Sequence, residues 1–132
     1  MQQYDRQVHW VKNTQNNEWF DFLRLNLDSP YFTNKRGVYV IWYTSPVAST
    51  SKVIRLGQGY LVDRLKEHRG DPYILSYSQY GQMKVTWAVV DNNTLYESDL
   101  NGVEAYLADR YLPLIGQRFP LVSQMSINLV GD

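Results

Sequence analysis

Gly37-Val38-Tyr39-Val40-Ile41-Trp42-Tyr43-Thr44 is the stretch that decides the fold. Its β-branched and aromatic side chains predict a strand, ended by the turn-rich loop Ser45 to Ser51 with Pro46 inside it. A two-residue period puts Tyr39, Ile41 and Tyr43 on one face and Val38, Val40 and Trp42 on the other. Downstream, Lys52 to Leu56 reads as a second strand that closes in the turn Gly57-Gln58-Gly59. Tyr60 to Arg69 then carries Leu61, Leu65 and His68 at i, i+4 and i+7, the stripe of a helix that stops at Gly70 and Pro72. Arg64 and His68 share one face of it.

Asp71 to Gln82, with Tyr73, Tyr77 and Tyr80, is expected to be loop or a short helical turn. Met83 to Val90 predicts a third strand, ended by Asp91-Asn92-Asn93. From about Ser98 to Leu112 the residues Leu100, Val103, Leu107 and Tyr111 keep helical period until Pro113 breaks it. Upstream, Asn16 to Leu27 places Trp19, Phe20, Leu23 and Leu27 at helical spacing and predicts a short amphipathic helix, while the tail after Pro120 reads as extended chain. The expected architecture is α/β in the α+β sense: a small three-stranded, mainly antiparallel sheet flanked by helices.

The 132 residues fit one domain spanning 1–132. A composition 44% hydrophobic and 20% charged is too apolar for a disordered chain. The apolar stretches Val38 to Tyr43 and Trp87 to Val90 fall far short of the roughly 20 residues that cross a bilayer. Met1-Gln2-Gln3-Tyr4-Asp5-Arg6 has no apolar signal core, so a cytoplasmic protein with no membrane partner is expected. The absence of cysteine excludes disulfides, thiolate zinc sites and cysteine nucleophiles together.

Thirteen basic and thirteen acidic residues cancel, but unevenly. Lys35 to Arg69 holds seven bases against two acids, and Asp91 to Asp109 holds five acids and no base. The two could be solvated faces or the two halves of one bipolar site. No GxxxxGK loop, HExxH helix or GxSxG elbow is present. Taken alone, Gly57-Gln58-Gly59 fits either a tight turn or a phosphate cradle.

In order and spacing, however, a strand beginning Gly37-Val38-Tyr39, a second strand ending Arg55-Leu56-Gly57, a helix with Arg64 and His68, and a later helix with Glu104 resemble the GIY-YIG endonuclease family. The resemblance covers about residues 37–115. It departs from the family pattern at Arg55, where a tyrosine is usual, and in the spacing from Gly57 to Arg64, one residue short. Asn128 is the nearest candidate for the family's late asparagine.

The resemblance implies a metal-dependent endonuclease that hydrolyses phosphodiester bonds of nucleic acid, with DNA as the expected polymer. Phosphodiester hydrolysis needs a nucleophilic water, charge neutralisation at the phosphate and stabilisation of the leaving oxygen. By the resemblance Tyr39 is the general base, Arg64 clamps the phosphate, His68 orients Tyr39 or a water or shuttles a proton, and Glu104 is a catalytic residue that holds Mg²⁺ (or Mn²⁺). Arg55, Gly57 and Lys66 are the expected substrate-binding residues. Each has a plainer reading: Tyr39 a strand aromatic, Arg64 an i, i+3 ion pair with Glu67, His68 a core residue, Glu104 the N3 partner of an Asn101 cap. The rival function is a GIY-YIG-like module that has lost catalysis, with Arg55 the reason, and binds nucleic acid or protein.

Overall fold

In the computed structural model, which describes residues 3–116 and 122–131, the GVYVIWYT stretch lies inside a mixed α+β fold. Four strands, β1 (Phe20–Asp21), β2 (Arg36–Thr44), β3 (Ser51–Tyr60) and β4 (Gln82–Val89), form one antiparallel sheet in the order β1-β4-β2-β3. The sheet thus has four strands where the sequence suggests three, because Phe20 and Asp21 pair with Val85 and Lys84.

That small addition comes from the segment expected to be helical. Asn16 to Leu27 forms turns and β1 instead, for a local reason: the side chains of Asn13, Asn16, Asp21 and Asn26 each accept the backbone N–H two residues on. These bonds offer the backbone an alternative to the helix ladder, and Asn17 sits at φ 56°, outside the helical region. Phe22 and Leu27 are still buried, and Phe20 stacks on Trp87 at 5.2 Å.

The two faces of β2 are covered by different parts of the chain. Tyr39 and Ile41 pack with Ile54, Val85 and Trp87 under α1 (Leu61–Arg69) and α2 (Pro72–Leu75). Val38, Val40 and Trp42 pack with Leu56 and Ala88 under α3 (Leu100–Tyr111) and under both chain ends. A hydrophobic face on each side explains why β2 has no solvent-facing row: every residue from Gly37 to Trp42 is buried.

α1 follows its sequence stripe, with Leu61, Leu65 and His68 buried, Asp63 in its first turn and Lys66 and Arg69 in its last, each sign where the helix dipole favours it. Asp71 to Gln82 resolves into α2, capped by the Asp71 carboxylate accepting from the Tyr73 N–H, and a 3₁₀ turn at Ser76–Gln79. α3 begins at Leu100 behind Asp99, whose carboxylate accepts from the Tyr96 N–H and pairs with Arg6 at 3.0 Å. It ends where Leu112 turns left-handed at φ 49° ahead of Pro113.

β3 is longer than expected and runs straight through Gly57-Gln58-Gly59, so those glycines are strand, not a strand-to-helix turn. Ile54 is an extra residue in the ladder, between Arg55 opposite Ile41 and Val53 opposite Trp42. Such a bulge re-aims the side chains beside it. Here it buries Ile54 under α1 and leaves Arg55 and Gly57 on the Tyr39 face. Of the tail after Pro120, residues 122–131 run back along the N-terminal segment, with a parallel bridge between Arg6 and Ile127.

Candidate active site

β3 lies at one edge of the sheet, and that edge is only half covered. Beyond α3 the N–H groups of Leu114 and Ile115 donate to the carbonyls of Val53 and Ile54. Further along β3, Arg55 and Gly57 stand in register with Ile41 and Tyr39.

Gly57 is the floor of the site. A Cβ built on it would lie 2.5 Å from the Tyr39 hydroxyl oxygen and 3.4 Å from Glu104 Oε2. Only a residue with no side chain lets the tyrosine lie flat across the strand and the carboxylate reach the same spot. Glu104 arrives from the other side of the sheet. Its neighbour Val103 is buried against Val40 and Leu56, and Glu104, one residue round the helix, passes the β3 edge to the Tyr39 face.

α1 closes the site from above. His68 Nε2 stands 2.5 Å from the Tyr39 hydroxyl oxygen, and both residues are buried. Burial holds the His68 imidazole down at about 4, with Arg55 and Arg64 pushing the same way and Asp71 opposing, so the ring is neutral at pH 7. Burial pushes the Tyr39 hydroxyl up, against the pull of Arg64 and Arg55, and Glu104 adds to the rise. Tyr39 is therefore a phenol whose nearest proton acceptor is a neutral imidazole.

Arg64, one turn before His68, faces the Tyr39 hydroxyl and is held at the surface by Glu67, 3.2 Å from Nη1 to Oε2. Burial pushes the Glu104 carboxyl up, opposed by Arg64 and Arg55. Among the described residues Glu104 makes no hydrogen bond and no ion pair, and neither does the Arg55 guanidinium, whose Nε is shut off from solvent. An unpaired carboxylate and an unpaired guanidinium thus share one cleft without touching each other.

Five of the seven residues singled out from the sequence, Tyr39, Arg64, His68, Glu104 and Arg55, converge around a sixth, Gly57. Lys66 does not join them. It lies about 200° round α1 from both Arg64 and His68, and its ammonium is 2.8 Å from Asp28. Asn128 is also elsewhere: it is buried, accepting from the Val8 N–H at 2.7 Å and donating to the Val8 carbonyl at 2.9 Å. Nor is Glu104 a capping residue, since α3 starts ahead of Asn101, whose side chain accepts from Gln58 at 3.0 Å.

No family model matches this chain, and no curated protein or solved structure shows significant similarity to it.

Asp71 went unnoticed in the sequence as a neighbour of His68. Its spacing, three residues on and just past a glycine, was the available signal. Among the described residues no group of three or more His, Asp or Glu side chains is placed to cage a metal ion. What Glu104 offers is a single carboxylate with free lone pairs at a solvent-reached edge. That donor fits a largely hydrated Mg²⁺, which takes one or two protein carboxylates and completes its octahedron with water and phosphate oxygen.

Proposed function

We propose that this protein is a GIY-YIG-type endonuclease that hydrolyses phosphodiester bonds of nucleic acid, with DNA as the first polymer to test. The observation that carries the reading is the unpaired Glu104 carboxylate beside Arg64 and the Tyr39–His68 pair, at one glycine-floored edge of the sheet. A carboxylate taken partly out of water and given no partner costs stability, and a ligand that supplies the missing charge accounts for it.

A phosphodiester entering this edge meets Arg64 first. Its guanidinium exchanges the single contact with Glu67 for a bidentate grip on two phosphate oxygens, and this uncovers the Tyr39 hydroxyl, which has no exposure in the free protein. Tyr39 then takes a proton from the attacking water as it passes its own to His68 Nε2. The relay explains how a buried phenol with a raised pKa can act as a base at neutral pH. Bound at Glu104, Mg²⁺ or Mn²⁺ would supply charge neutralisation at the phosphate and the leaving oxygen.

Arg64 would hold the phosphate directly and Glu104 only through the divalent ion, so the two together would orient the phosphate as well as bind it. Binding should be modest and weaken steeply with salt, since the site's cations contact phosphate rather than bases. The test is incubation with supercoiled plasmid and Mg²⁺ or Mn²⁺, beside Glu104→Ala. Nicked or linear product from the wild type alone supports the reading. If the wild type cleaves neither DNA nor RNA with either ion, the catalytically silent binding module, with Arg55 in the second motif, replaces it.

A further inference from the structure

Arg55 is the residue at which the chain departs from the pattern it otherwise resembles, and the mechanism above does not use it. Its position is fixed by the Ile54 bulge, which sets it on the Tyr39 face two residues from the Gly57 floor. It is half-buried, and among the described residues its guanidinium has neither a hydrogen bond nor an ion pair. Among the described residues Arg64 pairs with Glu67 and Lys66 with Asp28, whereas no acid is in contact with the Arg55 guanidinium. Its positive charge bears on Glu104, Tyr39 and His68 alike, which places it among them rather than at the rim.

A partly buried guanidinium without a partner is costly, and a planar five-donor fork matches the oxygens of a phosphate. Resting on the phosphodiester reading of the same cleft, we infer that Arg55 is a second phosphate-gripping cation, which lets nucleic acid bind before any metal and makes the metal the later ligand. The order follows from charge. With Arg55 and Arg64 both facing Glu104, a divalent cation arriving first meets two positive charges and one negative. Once a phosphate occupies the guanidiniums, that repulsion is offset and the carboxylate is free for the ion. Coupling of this kind is reciprocal, so nucleic acid tightens metal binding as much as metal tightens nucleic acid binding.

The experiment uses the full chain and two probes: a fluorescein-labelled DNA duplex in excess EDTA, followed by anisotropy, and Mn²⁺ alone, followed by the paramagnetic resonance of the free ion. The wild type should bind the duplex without metal, and Arg55→Gln should weaken that binding by about tenfold or more, the loss of one charge-assisted contact. Arg55→Gln should at the same time bind Mn²⁺ about fivefold more tightly than the wild type in the absence of DNA. Arg55→Lys, which keeps the charge but not the fork, should retain weak Mn²⁺ binding and lose part of the DNA affinity. Circular dichroism establishes that each variant is folded.

Duplex affinity in EDTA that is unchanged in Arg55→Gln overturns the inference, and so does Mn²⁺ binding that is equal in all three proteins. A wild type that cleaves with metal while showing either of those results loses the role of Arg55 and keeps the nuclease reading. A wild type that binds no duplex and cleaves no polymer loses both.

Discussion

Tyr39 and His68 meet inside the protein, hydroxyl oxygen to Nε2 at 2.5 Å, although 29 residues separate them and they come from a strand and a helix. The contact exists because β2 and α1 bury their polar tips in the same place, where each is the other's hydrogen-bond partner. Tyr39→Phe removes one tip and leaves the imidazole nitrogen unsatisfied. Stability should fall by about 1–3 kcal/mol, while cleavage falls by about 10²–10⁴-fold, the share ordinarily carried by a general base. Urea unfolding and plasmid nicking on the same preparation check the two effects separately. A variant as active as the wild type removes Tyr39 from the mechanism.

The His68 ring also sets a pH dependence of stability. In the folded protein it takes up its proton at about 4, against 6.5 for an ordinary histidine. Between those values the unfolded chain binds more protons than the native one, so this residue's contribution is complete above pH 6.5 and is lost as pH falls toward 4. Its ceiling is about 3 kcal/mol. Glu104, with its carboxyl pushed up by burial, works in the opposite sense near its own titration, so the clean comparison is between wild type and His68→Gln. Urea unfolding from pH 4.5 to 7.5 should show the wild type losing more stability on acidification than the variant. Parallel curves would mean that the ring is not held neutral.

Gly57→Ala tests the floor. The new methyl would lie 2.5 Å from the Tyr39 hydroxyl oxygen and 2.9 Å from its Cζ, far inside van der Waals contact, so the ring cannot keep its place between the floor and His68. Overpacking of this kind costs about 1–3 kcal/mol, and here it also dismantles the relay. Melting temperature and nicking activity should drop together. Full activity in Gly57→Ala would show that the tyrosine does not need to lie across the strand.

Asn128→Ala separates fold from site. Losing both bonds to the Val8 backbone leaves a buried N–H and carbonyl unpaired, at a cost of about 1–3 kcal/mol. Activity per folded molecule should be unchanged, because the contact ties the two chain ends together under the Val38 face, away from Tyr39. A variant that is stable but inactive would reinstate Asn128 as a site residue.

Where the sequence was readable, a period did the work. The alternation in β2 placed Tyr39 and Val38 on opposite faces, and the Leu61–Leu65–His68 stripe gave α1, because in both cases burial follows the backbone repeat. The same logic failed at Asn16 to Leu27. There the helical spacing of Trp19, Phe20, Leu23 and Leu27 is outweighed by four Asn and Asp side chains that bond to their own backbone. Gly57-Gln58-Gly59 misled for a different reason: glycine is also what a strand needs where another side chain lies flat across it.

The site was legible as a set of residues, though the geometry that joins them was not. Arg64 and His68 could be placed on one face of one helix from their spacing alone. That Glu104 would come round the sheet edge from the opposite layer depends on how α3 packs on Leu56 and Val40, a long-range contact that no local pattern encodes. Lys66 looked as basic as Arg64 but sits on the far side of α1 with Asp28, which the helical repeat alone would have separated from His68.

The most direct measurement of the central claim is plasmid cleavage by wild type and Glu104→Gln, side by side, in Mg²⁺ and in Mn²⁺. Glutamine keeps the shape of the side chain and, since the native carboxylate has no partner among the described residues, should leave stability equal or slightly higher. It cannot supply the charge that holds a divalent ion. Nicked product is expected from the wild type and none from the variant, with the variant's melting temperature equal to or slightly above the wild type's. Cleavage by both proteins at similar rates, or by neither with either ion, would contradict it.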